Sequence, residues 1–310
     1  MTDIFFSIAP IFVLIILGHL LRRGGIPNVE FWNLNDKLVY WVLMPALLFY
    51  KTSTIKLTPE LVGSYATVIL GALACAIVFA LLAGKLLRFS GPVASSILQG
   101  SARHNTFIAL AMAEHMYGGE GLALAALATA LLIPVTNVSV VSLVVALVRR
   151  SNDNGVMKAI LKDLARNPLL LSVGLGISIN VAGVGELPII HETAKILGAA
   201  ALPIVLLGVG ANIRLNEITS SVLPVLVSSI GKMVVFPIAI VFLSQLMGLS
   251  VLETSVAVLF GAVPTASSSY TLARQLGGDA PLMAAIVTIQ TGLSFLTLPL
   301  TVMLMNNMLG

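Results

Sequence analysis

Apolar residues run along this chain in long blocks separated by short polar seams. Blocks near 4–21, 33–51, 61–87, 92–117, 121–148, 168–184, 194–213, 221–247, 253–277 and 281–305 each approach the length of helix that crosses a membrane. That length is roughly 20 residues for about 30 Å of hydrocarbon. The pattern predicts an all-α membrane protein of ten transmembrane helices. One seam is longer than the rest. In RRSNDNGVMKAILKDLARN, residues 149–167, Val156, Ile160, Leu161 and Leu164 recur at helical spacing among basic residues, which predicts an amphipathic surface linker between residues 1–148 and 168–310.

The two stretches on either side of that linker repeat. A shift of 158 places Pro10 on Pro168, Gly18 on Gly176, Gly25 on Gly183 and Pro45 on Pro203. A shift of 159 places Gly118-Gly119-Glu120 on Gly277-Gly278-Asp279. Each repeat holds an odd number of predicted spans, so the second is expected to be inverted relative to the first, giving two inverted five-helix repeats.

Composition agrees with a membrane setting. The chain of 310 residues is 58% hydrophobic and 10% charged, against about 25% charged in a soluble domain. Lys and Arg hold orientation information through their position. With the N-terminus outside, inner loops carry eleven of them (Arg22, Arg23, Lys85, Arg88, Arg149, Arg150, Lys158, Lys162, Arg166, Arg214, Arg274) and outer loops three (Lys51, Lys56, Lys195). The expectation is a multi-pass protein of the cell inner membrane with both termini on the periplasmic side. The N-terminal MTDIFF has no basic n-region, and its apolar run ends at Arg22-Arg23 without a small-residue cleavage site, so a retained first helix is expected. Cys75 is the single cysteine and lies in an apolar run, so no disulfide framework and no thiolate metal site can be built. Nucleic-acid binding has no support.

Candidate chemistry sits in the middle of the fourth and ninth spans. There Ser101, Arg103, His104, Asn105 and Thr106 interrupt one apolar run, and Gly261, Pro264, Thr265, Ser267, Ser268 and Ser269 interrupt the other. Shifting by 159 superposes Asn105-Thr106 on Pro264-Thr265. Both helices are therefore expected to break at midmembrane, where free backbone groups face a cavity. A half-helix beginning at a break presents unpaired N–H groups and the positive end of its dipole, which suits an anion. Arg103 adds a full charge, and Asn105, Thr106, Thr265, Ser267 and Ser268 add neutral hydrogen bonds.

Each of these residues also has a plainer reading. Serines in membrane helices bond backbone carbonyls or neighbouring helices, and Pro45, Pro134, Pro203, Pro237 and Pro299 suit kinks and packing. Lys37, beside Asp36 near a span end, suits a snorkelling or paired interface charge. Lys232 lies about eleven residues into its span at 1.5 Å rise per residue, too deep for easy snorkelling, which favours a cavity or coupling role. His104 can carry a proton or stay neutral and hydrogen-bonded beside Arg103. Asn137 and Gln290 are weaker cavity-lining candidates. Metalloprotease, nucleophile-elbow and phosphate-loop motifs are all missing from the sequence, so neither an enzyme nor a resident cofactor is expected.

The chain resembles the auxin efflux carrier family in its short bacterial form, within the superfamily that includes bile-acid sodium symporters. The likeness rests on APIFVLIILGHLLRR at 9–23, LVYWVLMPALLFYKTS at 38–53, NPLLLSVGLGI at 167–177, LPIVLLGVGANI at 202–213, GKMVVFPI at 231–238 and GAVPTASSSYTLARQLGGD at 261–279. The resemblance implies a scaffold of spans 1, 2, 6 and 7, a transport domain of spans 3–5 and 8–10, and crossover helices 4 and 9 that hold substrate in an elevator-type mechanism. It also implies substrate contacts at Asn105, Pro264 and Thr265, small carboxylates such as malonate, malate or auxin-like acids as cargo, H+ or Na+ as any coupling ion, and a homodimer through the scaffold helices. Relatives commonly continue with Gly and Pro after the asparagine. Here the chain reads NTFIALAM, so the first break is expected to be milder or displaced toward Arg103-His104. Two other readings stay open: a sodium-coupled symporter of a larger amphipathic solute, and a non-transporting membrane sensor.

Overall fold

A computed structural model describes residues 2–54, 59–148, 158, 161–162, 164–213 and 222–309. Every regular element among them is helical. In chain order these are α1 (Thr2–Arg23), α2 (Val29–Leu38), α3 (Met44–Thr54), α4 (Pro59–Leu86), α5 (Gly91–Ala102), α6 (Thr106–Val148), α7 (Pro168–Val181), α8 (Pro188–Ala211), α9 (Val222–Ile230), α10 (Phe236–Met247), α11 (Val251–Ala262), α12 (Ser268–Leu276) and α13 (Ala280–Leu309). Most of the expected linker 149–167 lies outside the described residues.

Local chemistry sets the ends of these helices. Asn28 caps α2 by accepting the Phe31 N–H at 2.9 Å. Asn167 caps α7, with Pro168 in the first turn where a missing N–H costs nothing. At α11 the Ser250 hydroxyl accepts the Glu253 N–H while the Glu253 carboxylate accepts the Ser250 N–H, a capping box. Inside α6, Gly118 takes φ 62° and ψ −150°, which breaks the helix at a position only glycine tolerates.

Two π turns, Val39–Leu43 and Gly231–Val235, join α2 to α3 and α9 to α10. Each lies just before a proline, Pro45 or Pro237, and each contains the residue four places before it, Trp41 or Met233. In a regular helix the proline ring would clash with that residue's carbonyl. A wider turn accommodates the clash, and one extra residue is carried at each place.

Among the described residues, five helices are long and apolar enough to cross a membrane: Leu61–Leu86, Gly91–Val148, Pro188–Ala211, Val222–Met247 and Ala280–Met305. The stretch Gly91–Val148 is itself interrupted at 103–105 and at Gly118. This corrects the expected fold of ten transmembrane helices in two inverted five-helix repeats. The miscount has physical causes. Hydropathy registers apolar residues and not whether one helix runs through them. The apolar block 168–184 yields α7, 14 residues long, or about 21 Å at 1.5 Å per residue. The block 253–277 is divided into helices of 12 and 9 residues. The blocks 92–117 and 121–148 fall in the single stretch Gly91–Val148. The block 33–51 is carried by α2 and α3, of 10 and 11 residues, with a π turn between.

The chain forms two compact units. The first comprises Met1–Pro59, Phe107–Ala130 and Lys162–Ile213. In it α1 packs along α8, and α3 packs against α7 and α8. The α1–α8 contact is close enough that a Cβ built on Gly210 would fall into the backbone of Ile15. Asn212 at the end of α8 accepts from the Arg22 guanidinium at 3.1 Å and donates to the Asp36 carboxylate at 3.1 Å, pinning α1 and α2 to α8.

The second unit comprises Glu60–Thr106, Leu131–Leu161 and Arg214–Gly310. Here α5 packs on α9 and α13, α11 on α10 and α13, and α12 on α13. Its core includes Val225, Ala273, Leu282, Met283, Ala285 and Ile286.

Gly210→Leu is expected to destabilise the protein by about 1–3 kcal/mol, the usual cost of overpacking. Gly174→Leu, where nothing lies within 4 Å of the added Cβ, is expected to be near neutral. Thermal unfolding of the two variants in detergent micelles checks the pair.

Candidate substrate site

Two helices in the second unit stop in the middle of buried surroundings. α5 ends at Ala102 and the chain is non-helical at 103–105, and α11 ends at Ala262 with non-helical residues at 263–267. The first break therefore includes Arg103 and His104, the pair toward which it was expected to be displaced. The two endings share a backbone shape. Arg103 has φ −76° and ψ 152°, and Val263 has φ −64° and ψ 152°. Each N–H still reaches back, to Gln99 O and Leu259 O, at 2.9 Å. The breaks touch each other: the Asn105 N–H donates to Pro264 O at 2.8 Å.

Cutting a helix leaves last-turn carbonyls without partners, and an unpaired buried carbonyl is costly. Here named side chains meet them. The Gln290 amide donates to Gly100 O at 3.1 Å, and the Thr265 hydroxyl adds a second donor, at 3.2 Å, to Gln99 O, which already accepts the Arg103 N–H. The same Gln290 amide donates to Ser228 Oγ at 3.2 Å, and its Oε1 accepts the Thr265 N–H at 3.0 Å. Gln290 thus ties α5, α9 and the second break to α13. Room for this comes from Gly100, whose added Cβ would collide with Ser228 and Ile286.

At α11 the carbonyl of Phe260 accepts from Lys232 Nζ at 2.8 Å. Lys232 is 0% exposed, and its Nζ lies 4.5 Å from the centroid of the Phe236 ring. The π turn Gly231–Val235 places it there. A cation at a helix C-terminus is electrostatically favoured, and the ring adds a cation–π contact.

The helix beginnings are treated differently. Ser267, at the start of α12, makes no side-chain cap. What approaches that end is the guanidinium of Arg103. Its Nη2 donates to Ser268 Oγ at 3.3 Å and its Nη1 to Asn137 Oδ1 at 3.1 Å. Arg103 makes no ion pair among the described residues, and its Nε is buried without a hydrogen-bond partner among them. The only carboxylates with described side chains in this unit, Glu253 and Asp279, serve helix N-termini: Asp279 Oδ1 accepts the Leu282 N–H at 2.9 Å, and Glu253 closes the capping box.

Every residue nominated from sequence thus lies in the second unit. Arg103, His104 and Asn105 form the first break; Pro264, Thr265 and Ser267 lie in the second; Thr106 begins α6 and Ser268 begins α12; Asn137 receives Arg103; and Gln290 and Lys232 meet the carbonyls. Asn105 and Thr265 are buried, at 5% and 0% exposure.

Sequence reading missed Gln99 and Ser228. Gln99 is fully buried, and both its amide atoms lack hydrogen-bond partners among the described residues. The available signal was an amide inside an apolar run, one helical turn before Arg103. Ser228 gave no signal apart from its neighbour Ser229. Among the described residues no group of three or more His, Cys, Asp or Glu could hold a metal ion.

Gln290→Ala strands the Thr265 N–H and the Gly100 carbonyl, each costing about 1–3 kcal/mol. The expected result is a loss of several degrees in unfolding temperature, with Gln290→Glu recovering part of it through the Thr265 bond, as measured by thermal unfolding in micelles.

Residues 137–302, just over half of the chain, match the membrane transport protein family. An uncharacterized transporter from Methanocaldococcus jannaschii is 24% identical over 297 residues, covering 94% of this chain and 95% of that protein. An uncharacterized transporter from Methanothermobacter thermautotrophicus is 23% identical over 297 residues, covering 95% and 96%. The matched region takes in the second break, Lys232 and Gln290, and the chain belongs to the membrane transport protein family, that of the auxin efflux carriers.

Proposed function

We propose that this protein is a secondary transporter of small organic anions, mono- or dicarboxylates such as malonate, malate or auxin-like acids, which bind where the two helix breaks meet. The observation that carries the reading is the Arg103 guanidinium. It is held by neutral oxygens alone, beside an uncapped helix start, in a unit whose described carboxylates are committed elsewhere. Two positive poles that meet without a counter-charge favour an anion between them. In this reading Arg103, flanked by Asn137, Ser267 and Ser268, faces the carboxylate. Asn105, Thr106 and Pro264 shape the floor of the site, while Thr265 and Gln290 hold the breaks in register.

An elevator-type movement is supported by the grouping of all these residues in one compact unit, which can carry the site as a body. An inner-membrane location is supported by the five helices long and apolar enough to cross a membrane. A homodimer is supported by the exposed apolar residues Phe31, Leu34, Leu38 and Trp41 along α2 and its π turn.

Uptake of labelled carboxylates into proteoliposomes tests the reading. Arg103→Gln is expected to weaken apparent affinity at least tenfold, or about 1.4 kcal/mol, whereas Arg274→Gln at the far end of α12 leaves it within twofold. Anion-over-cation preference that survives Arg103→Gln combined with Lys232→Met would overturn the role of these side chains and leave the helix starts alone to hold the anion. Ligand-induced stabilisation with no uptake across the anion panel would favour a sensor.

A further inference from the structure

His104 stands in the first break, 6% exposed, with its ring edge-on to Phe260, 5.4 Å between centroids. Neither ring nitrogen has a hydrogen-bond partner among the described residues. The fully buried Gln99, one turn earlier on α5, has a similarly unpartnered amide. Two buried polar side chains left without partners within five residues of one helix break are uncommon in a folded protein and point to something that completes them.

The basic side chains of the neighbouring segments are Arg103 on its own break and Lys232 on the π turn. From α11 His104 meets the uncharged Phe260. The described carboxylates of this unit, Glu253 and Asp279, are bound to helix N-termini. A proton on His104 would therefore add positive charge beside Arg103 in a dry region that holds no described counter-ion. Lys232 is already fixed by the Phe260 carbonyl and the Phe236 ring, which leaves His104 as the group with freedom to change.

We propose that His104 takes up one proton when the substrate anion binds and releases it when the anion leaves, so that transport is coupled to protons. This rests on the reading that an anion binds beside Arg103. The bound carboxylate supplies the counter-charge that an imidazolium lacks, and the ring N–H groups of the charged form, unpartnered within the protein, are donors for it. The proton comes from bulk water on the side where the anion enters and returns to bulk water where it leaves. Linkage makes the effect reciprocal: the anion raises proton affinity by the same factor by which the proton raises anion affinity. Binding is therefore tighter at lower pH, by at most about tenfold per pH unit for a single proton.

The test measures binding of pyruvate, oxalate and indole-3-acetate, acids that stay ionised from about pH 6 to about pH 8, the range in which histidine titrates. Calorimetry on the purified protein in buffers of different ionisation enthalpy counts the protons taken up. The expected result is net uptake approaching one proton per bound anion and an affinity that rises as pH falls. His104→Gln is expected to abolish both proton uptake and the slope of affinity against pH. Binding with no proton uptake and no slope overturns the coupling and leaves the anion reading standing. A slope that persists in a folded His104→Gln protein overturns the assignment to His104. If that variant does not fold, the proton count on the unaltered protein decides. Failure of all three acids, and of malonate and malate beside them, to bind removes the anion reading itself, and the coupling with it.

Discussion

A helix that stops inside an apolar interior leaves carbonyl oxygens facing no water, and the second unit is organised around meeting that demand. Thr265, Gln290 and Lys232 each place a donor on a last-turn carbonyl of α5 or α11. An unmet buried acceptor costs on the order of 1–3 kcal/mol. These three bonds allow the breaks to persist, and with them the two new helix starts at Thr106 and Ser268.

The chemistry of the breaks was legible in the sequence to a considerable degree. Polar residues in the middle of an apolar run, with Pro264 in one of them, signal backbone that leaves the helix, because polar side chains and proline are both expensive in an unbroken membrane helix. Lys232 stood out for the same reason. Gln99 did not, because an uncharged amide one turn before an arginine looks like an ordinary neighbour until its lack of a partner is seen.

The span count was not legible. A hydropathy window measures composition over a fixed length, and a crossing requires continuity of hydrogen bonding over that length. α7 ends after 14 residues and the block containing α11 and α12 is divided at 263–267, although both blocks are apolar enough to pass. The glycine at 118 and the two π turns likewise change the path of the chain without changing its hydropathy. The prolines at 45 and 237 carried a usable hint, since each needs relief four residues upstream.

The π turn at Gly231–Val235 has a geometric effect well away from Lys232. Exposed apolar side chains recur along this stretch at Val222, Leu226, Ile230, Val234, Ile238, Phe242 and Leu246, always four apart. In a uniform helix of 3.6 residues per turn, each such step drifts by about 40°, so six steps would wind the stripe about 240° around the axis. One surplus residue in a single turn takes back about 100° of that winding. The turn that seats a lysine in the interior therefore also straightens the oily stripe on the outside, letting α9 and α10 offer the hydrocarbon a more nearly continuous face.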